Sequence, residues 1–502
     1  MKETILPNGL KVLTKEVHSS PIVTTYVWYR VGARNEKVGI TGISHMVEHL
    51  MFKGTKYFKQ GEIDRLITRT GGQSNAFTCY DHTAYFITLP RDQLDLALSI
   101  EADRMTHSRM SPKDLATEKQ VILSELEGEE NDPQQTLDQM VGEISFLVHP
   151  YRFPVIGFKS DIHALTPQAV KQYYRRYYIP NNAILAIVGD FQADEVLSRV
   201  EKLFGSIPRG NIPPIVVTVE PSQRGERRTV IRQEGSIVYV QVRFHIPPFD
   251  HPDSYPLAVM DMALVDGCSS WLYRALVESQ LAVSVDSQIS QSLDPGWYSL
   301  YFTVRNGVEP ARLEEVLLAE IEKIREKLLT PQELQKAVNQ TYAHFIYAND
   351  VVTSQAFNLG YFETIGSYKL LGSYVERIRK VTAEDVRRVA TRYLTADNLT
   401  VGYLQPFPEP GDQSGNNDML KTRSNKKSLI ADYSSLLSPP APASFPSGTL
   451  QRRRHLTSSQ LSGNNICSFT PHTSRVVLSN GLVVLTQENH ANPTVAITGI
   501  LK

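Results

Sequence analysis

Cysteine is scarce in this sequence. Its 502 residues include three cysteines, Cys79, Cys268 and Cys467, which lie far apart. This odd number argues against a disulfide framework or a zinc-thiolate site and indicates reduced thiols. The N-terminus, MKETILPNGLKVLTKEV, lacks the apolar core of a secretory signal and the Arg/Ser-rich bias of a transit peptide. We therefore expect a cytoplasmic protein.

Long apolar runs and an excess of one charge are also missing. No stretch of about 18 uncharged apolar residues occurs, so no transmembrane helix is expected. The 52 Lys and Arg residues nearly balance the 53 Asp and Glu residues, which leaves a net charge of -1. This balance gives no electrostatic reason to expect nucleic acid or a membrane as partner. The length predicts two or more domains.

Strand-like and helix-like segments alternate along the chain and predict two α+β domains, residues 1–215 and 228–405. Strands are predicted from β-branched and aromatic enrichment or short apolar runs at 10–17, 22–29, 183–188, 237–246 and 399–404. Helices are predicted from apolar periodicity at 42–53, 61–70, 91–107, 112–130, 253–264, 310–328 and 331–346.

The composition changes after the second domain. Residues 406–472 are rich in Pro and Ser and cannot bury enough apolar surface to fold, so we predict a disordered linker. Beyond it, residues 478–495 match residues 6–23 at 11 of 18 positions. Residues 473–502 are therefore predicted to be the truncated start of a second repeat unit, in a fragment of a longer chain.

The segment GISHMVEHLMFKGT carries a possible metal site. On a helix, His45 and His49 lie on one face because they are four residues apart. Two imidazoles at this spacing can bind one Zn²⁺. Glu48, beside His49, is placed to accept a proton from a metal-bound water as a general base. The alternative left open by the motif alone is a pair of structural histidines.

A catalytic zinc also needs a third protein ligand and an open position for water. In the predicted helix 112–130, Glu118 and Glu125 are seven residues apart and share a face. The same helix carries three further carboxylates, Glu127, Glu129 and Glu130. Most carboxylates in such a run face water, so spacing alone does not choose the ligand.

With these residues the chain resembles the pitrilysin/insulinase family of zinc metallopeptidases, which includes the mitochondrial processing peptidases. The family pattern is H-x-x-E-H followed by a glutamate ligand about 76 residues later, which is the position of Glu125. The resemblance implies that His45, His49 and Glu125 bind one Zn²⁺ per unit. It also implies that Glu48 is the general base and that Glu118 supports the catalytic site without binding the metal.

The resemblance covers essentially residues 3–405. It includes the blocks NAFTCYDHTAYF (75–86), HPYRFPVIG (149–157) and YYIPNNAILAIVGDF (177–191). In the family, the strand that matches Asn75 and Ala76 pairs with the substrate backbone. Without the family these two residues would indicate an ordinary edge strand. We interpret His82, in the same block, as a surface imidazole with satisfied hydrogen bonds.

The second domain resembles the family's C-terminal half-unit and lacks the zinc motif. Active members carry an Arg and a Tyr in the segment that matches ALVDGCSSWLYRALVESQLAVSV (263–285), where this chain has Val277 and Val283. Trp271 stands where an Arg is common. Neither valine can stabilise a developing oxyanion. We expect a second half-unit, in the same longer chain or in a dimer partner, to supply the missing pair.

The resemblance thus implies half of a peptidase clamshell, with two homologous domains that each contain a mostly antiparallel sheet flanked by helices. It implies a zinc-dependent endopeptidase that hydrolyses peptides or small unfolded proteins, with metal-bound water as the nucleophile. The alternative is a non-catalytic scaffold or processing-complex subunit that retains a zinc site. A processing partner that acts as a separate chain is disfavoured by the repeat.

Overall fold

A computed structural model describes residues 1–407, 473–478 and 482–487, together with 495, 497 and 499. The strands are β1 (Lys2–Ile5), β2 (Lys11–Glu16), β3 (Ile22–Tyr29), β4 (Gln73–Thr78), β5 (Thr83–Pro90), β6 (Ala183–Gly189), β7 (Arg227–Gln233), β8 (Tyr239–Ile246), β9 (Ala282–Ile289), β10 (Gly296–Val304), β11 (Leu399–Pro406), β12 (Thr473–Val477) and β13 (Val483–Gln487).

The α-helices are α1 (Ile43–Leu50), α2 (Glu62–Arg69), α3 (Leu94–His107), α4 (Pro112–Glu130), α5 (Pro133–Ser145), α6 (Lys159–Ala164), α7 (Pro167–Tyr177), α8 (Ala193–Phe204), α9 (Ser254–Leu264), α10 (Pro310–Glu326), α11 (Pro331–Tyr347), α12 (Val352–Ile365), α13 (Lys369–Arg379) and α14 (Ala383–Tyr393). A π-helical turn spans Tyr273–Glu278. Short 3₁₀ segments occupy Ala33–Asn35, Arg91–Gln93, Pro150–Arg152, Pro180–Asn182 and Ala396–Asn398.

Two sheets have the same strand order. The first is β1-β2-β6-β3-β5-β4 and the second is β7-β11-β8-β10-β9. If β1 is left out and the strands of each sheet are numbered in chain order, both sheets have the same order from edge to edge. That order is first, fifth, second, fourth, third. In both, the first and fifth strands are parallel and the other pairs are antiparallel. The helices that flank these sheets confirm the predicted α+β class. The division into domains at residues 1–215 and 228–405 stays a prediction.

The predicted elements that depend on local patterns agree with the structure. The β-branched and aromatic run at 22–29 forms β3, which lies between β6 and β5 in the first sheet. The helix predicted at 112–130 is α4, with the same bounds. Its N-cap Ser111 accepts a hydrogen bond from the backbone N–H of Asp114, and Pro112 occupies the first turn, where its missing N–H costs nothing.

Each half of the chain contributes one helix to the sheet of the other half. We use "first half" for residues 1–215 and "second half" for 228–405. Helix α12, from the second half, packs on β3 and β6 of the first sheet. Its Val352, Ala356 and Leu359 share one apolar cluster with Trp28 of β3. Helix α5, from the first half, packs on β7, β8 and β11 of the second sheet. Both sheets are therefore covered on two faces, each with help from the other half.

A buried polar joint also connects the halves. Tyr151 donates a hydrogen bond to Asp81 (2.7 Å), and Asp81 accepts another from the backbone N–H of Leu293 (3.0 Å). Asp294 lies 2.5 Å from Arg34 Nε. The turn between β4 and β5, which contains Asp81, is thus held against the β9–β10 loop of the second half.

The predicted linker, 406–472, lies outside the described residues except at its first two positions. Within 473–502 the described residues include β12 and β13, which pair antiparallel as β1 and β2 do. The second repeat unit remains a prediction. Among the described residues, no helix is long and apolar enough to cross a membrane.

Candidate metal centre

Helix α1 presents the predicted zinc motif. It begins after Gly42, whose φ of 79° and close approach to the Ile156 carbonyl leave no room for a side chain. The Glu36 carboxylate accepts hydrogen bonds from the backbone N–H groups of Gly42 (2.7 Å) and Ser44 (2.8 Å), which lie free at a helix start. The apolar side chains of α1 are buried in the first-half core, so its position is fixed.

The structure brings the three predicted ligands together. His45 Nε2 and His49 Nε2 are 3.2 Å apart, and His49 Nε2 is 3.6 Å from a carboxylate oxygen of Glu125. One ligand atom from each residue lies within 4.8 Å of the others. Two nitrogens bound to one tetrahedral zinc ion would be about 3.3 Å apart, given zinc–nitrogen distances of about 2.0–2.1 Å. The two-histidine, one-carboxylate set therefore fits Zn²⁺.

The surroundings keep these imidazoles suited to a metal. Burial, followed by the neighbouring His49, lowers the pKa of His45 to about 3, so the ring is neutral and its nitrogen lone pair is available. Both histidines are half-buried, whereas Glu125 is exposed. This is the only group of three or more potential metal-binding side chains found among the described residues.

Helix α4 packs against α1 and brings two carboxylates, not one, to the motif. Glu125 faces the Nε2 side of His49, while Glu118 lies 3.2 Å from His49 Nδ1. A carboxylate at Nδ1 fixes the ring orientation and the tautomer that leaves Nε2 free to bind a metal. This geometry supports different roles for the two glutamates, which helical spacing alone could not distinguish.

Glu48 is buried beside the cluster. Burial raises the pKa of Glu48 to about 7, even though a hydrogen bond from Thr78 and the nearby His49 lower it. Thr78 Oγ1 donates that bond at 2.6 Å. Sequence reasoning missed Thr78. The signal was present in the NAFT block, because Ala76 and Thr78 lie on the same face of a strand.

The candidate substrate strand lies at an edge of the first sheet. Strand β4 is the outermost strand and pairs with β5, with Asn75 opposite Phe86 and Ala76 opposite Tyr85. Asn75 is exposed and Ala76 is buried. Helix α1 packs next to this strand. Among the described residues, the outer edge of β4 has no partner strand, and it lies next to the helix that carries the candidate ligands His45 and His49.

The interpretation of His82 as a satisfied surface imidazole is wrong. The residue is buried, and both ring nitrogens lack a hydrogen-bond partner in the described part of the chain. Its ring packs against Trp28 (4.9 Å between centroids) and against Tyr361 of α12 (5.3 Å). Burial lowers the pKa of His82 to about 3. The covering helix comes from the second half, which local sequence does not reveal.

The second half carries no equivalent cluster. Val277 lies in the π-helical turn and Val283 is exposed on β9. Trp271 is largely buried, and its indole N–H donates a hydrogen bond to Glu333 (2.9 Å). Helix α9 contains no histidine. The one acidic residue of this helix, Asp261, is buried and accepts a hydrogen bond from Tyr298 (2.9 Å).

Two sheets of equal strand order and a single two-histidine, one-glutamate cluster characterise the described part of the chain. Residues 11–157 match the family described as insulinase (peptidase family M16), and residues 164–341 match the M16 inactive domain. The zinc protease PqqE of Helicobacter pylori is 31% identical over 407 residues, which are 80% of this chain and 92% of that protein. This chain belongs to the insulinase (M16) family of peptidases.

Solved structures and a more distant relative are also similar to this chain. A protease from Helicobacter pylori has a TM-score of 0.78 and 30% identity, and the match covers 81% of this chain and 99% of that one. The first half of the periplasmic protease PqqL from Escherichia coli has a TM-score of 0.66 at 17% identity, over 80% of this chain and 91% of that one. A probable mitochondrial-processing peptidase subunit beta of Arabidopsis thaliana is 24% identical over 82% of this chain and 79% of that protein.

Proposed function

We propose that this protein is a zinc-dependent endopeptidase that hydrolyses peptides or small unfolded proteins. The observation that carries the proposal is the convergence of His45 Nε2, His49 Nε2 and a Glu125 oxygen beside the buried carboxylate of Glu48. The naming of several relatives as zinc proteases supports the choice of metal. The cytoplasm remains our predicted compartment.

His45, His49 and Glu125 would hold the ion. When bound, Zn²⁺ supplies a Lewis acid that polarises the scissile carbonyl and lowers the pKa of a water molecule. Glu48 accepts the proton of the attacking water and later delivers a proton to the leaving amine. A pKa of about 7 suits both transfers, because the carboxylate can take up and release a proton near neutral pH.

A peptide substrate would pair with the free edge of β4. Extended peptides add to exposed sheet edges through backbone hydrogen bonds, and here Asn75 and Ala76 would meet the residues next to the scissile bond. Val277 and Val283 offer no charge or hydroxyl to the reacting carbonyl. We therefore propose that a second half-unit, in a longer chain or a dimer partner, completes the site.

Three variants test the proposal. Glu48→Gln should keep stoichiometric zinc and lose about 10²–10⁴-fold in peptidase turnover, because it cannot accept a proton. Glu125→Gln should lose zinc, whereas Glu130→Gln, an exposed position on the same helix, should change neither property. Bound metal would be measured by mass spectrometry, and turnover with quenched-fluorescent peptides before and after chelation.

A scaffold function is the second candidate, favoured by the match of residues 164–341 to an inactive domain and by the two valines. Stoichiometric zinc with no turnover of a peptide library by the full chain and its second half-unit would support this candidate over the peptidase. Retained turnover in Glu48→Gln would contradict the assignment of the base.

A further inference from the structure

We propose that Lys53 is a positioning residue of the zinc site, acting through Glu118 on the metal ligand His49. The inference rests on the proposed zinc function. It concerns this chain's own ion pairs and predicts how tightly the metal is held, not how fast a bound peptide reacts.

Glu118 bridges Lys53 and His49. The Lys53 ammonium lies 2.7 Å from Glu118 Oε1, and Glu118 Oε2 lies 3.2 Å from His49 Nδ1. Glu118 Oε1 makes no hydrogen bond within the described part of the chain, so its contact with the ammonium is an ion pair. Each oxygen of the carboxylate thus has its own partner, and the side chain has one orientation that serves both.

The pair is shielded from water on the carboxylate side. The Glu118 side chain is 3% exposed and the Lys53 side chain 25%. A buried carboxylate is costly unless a cation and hydrogen bonds compensate it. Among the described residues, Lys53 is the one Lys or Arg within ion-pair distance of Glu118. The lysine therefore compensates the negative charge of Glu118, the carboxylate that His49 needs at its Nδ1 atom.

Lys53 is well placed for this because it belongs to the same segment as His49. The backbone N–H of Lys53 donates a hydrogen bond to the Leu50 carbonyl (3.1 Å), so the lysine lies about one turn beyond the histidine that it supports. Helix α4 supplies the carboxylate from the other side. The three side chains together join the end of α1 to α4, the helix that also carries Glu125.

Loss of the ammonium should weaken zinc binding. Without it, the Glu118 carboxylate is buried without compensation and free to turn away from His49, and the imidazole loses its fixed orientation. Mutation of such outer partners typically lowers metal affinity about 10- to 100-fold. We expect this loss for Lys53→Met, which keeps the aliphatic stem. Lys53→Arg, which keeps the charge, should remain within about threefold of wild type.

Zinc dissociation constants would be measured by competition with a chromophoric chelator. Lys59→Met is the matched control, since Lys59 is exposed and has no side-chain ion pair among the described residues. It should bind zinc as wild type does. Thermal unfolding of the metal-free proteins shows whether each variant is folded.

A double-mutant cycle with Glu118→Gln decides whether Lys53 acts through Glu118. Each single variant should weaken zinc binding, and adding Lys53→Met to Glu118→Gln should cost less than about twofold more. The double variant also removes both charges, so it remains informative if Lys53→Met alone does not fold. Independent, multiplicative losses would overturn the inference.

Two results separate this inference from the proposed function. A wild-type chain that binds no zinc overturns both. A wild-type chain that binds stoichiometric zinc, with Lys53→Met of unchanged affinity, overturns the role of Lys53 and leaves the zinc peptidase proposal intact.

Discussion

The two halves of the chain share a strand order but differ in what their corresponding helices carry. Helix α1, between the second and third strands of the repeated order in the first half, presents His45, Glu48 and His49. Helix α9, at the corresponding place in the second half, has no histidine and one buried acid, Asp261, which bonds to Tyr298. The same arrangement of strands and helices thus carries a cluster of candidate metal ligands in one half and ordinary core contacts in the other.

The half without metal ligands nevertheless supports the site. Its helix α12 covers one face of the first sheet, where Trp28 and His82 are buried. Its β9–β10 loop holds Asp81, in the turn that follows the candidate substrate strand. The comparison teaches that the half without candidate metal ligands still helps to bury and position the half that carries them.

The largest expected effect comes from separating the halves. Residues 1–215 alone should not fold cooperatively, because loss of α12 exposes residues such as Tyr26, Trp28 and Ile184. Each buried large side chain contributes about 1.5–3 kcal/mol, and a domain has a net stability of only about 5–15 kcal/mol. Far-UV circular dichroism and thermal unfolding would measure this, with a mixture of the two separately produced halves as the control. A sharp transition and stoichiometric zinc binding in residues 1–215 alone would contradict it.

A smaller effect is expected where α12 meets the first sheet. A Cβ atom on Gly360 would lie 2.0 Å from Trp28 Nε1, so Gly360→Ala must move either the helix or a fully buried indole. We expect a loss of about 1–3 kcal/mol in the free energy of unfolding, measured in urea. Gly372→Ala, in α13 with open space around its Cβ position, is the control and should be neutral or stabilising by up to about 1 kcal/mol.

The corresponding contact of α5 with the second sheet tests whether α5 and α12 contribute equally to stability. A Cβ atom on Gly402 in β11 would lie 2.3 Å from Val141 of α5. Gly402→Ala should therefore lose stability to a similar extent as Gly360→Ala. If only one of the two variants is destabilised, the two exchanged helices do not contribute equally.

The parts of this structure that sequence predicts are those that depend on neighbouring residues. The predicted zinc motif is one such part, since a spacing of four residues on a helix suffices to place His45 beside His49. The Glu125 assignment needed the family spacing, because α1 and α4 are joined by long intervening elements. Helix α12 was missed, since it has no fully exposed residue and contains a glycine, so it shows neither amphipathic periodicity nor high helix propensity. His82 is buried, and Lys53 pairs with Glu118, through contacts between segments that are distant in the sequence. No local pattern encodes such contacts.

The smallest effect we predict concerns the polar joint, and it depends on pH. Burial raises the pKa of Asp294, but hydrogen bonds from His149 and Arg34 outweigh it and hold the pKa below its usual range. Because the folded-state pKa is lowered, this carboxylate stabilises the fold above its unfolded pKa of about 3.9, and the contribution is lost as the pH falls through the folded value.

Asp294→Asn should therefore lower the free energy of unfolding by about 1–2 kcal/mol at pH 7 and by less near pH 3. Asp286→Asn, at an exposed position with no ion pair among the described residues, should have little effect at either pH. Urea unfolding at both pH values would measure the difference. A loss in Asp294→Asn that is equally large at pH 3 would show that shape rather than charge holds the halves together. Zinc content at pH 7 should be unchanged, because the joint supports the site without contacting its ligands.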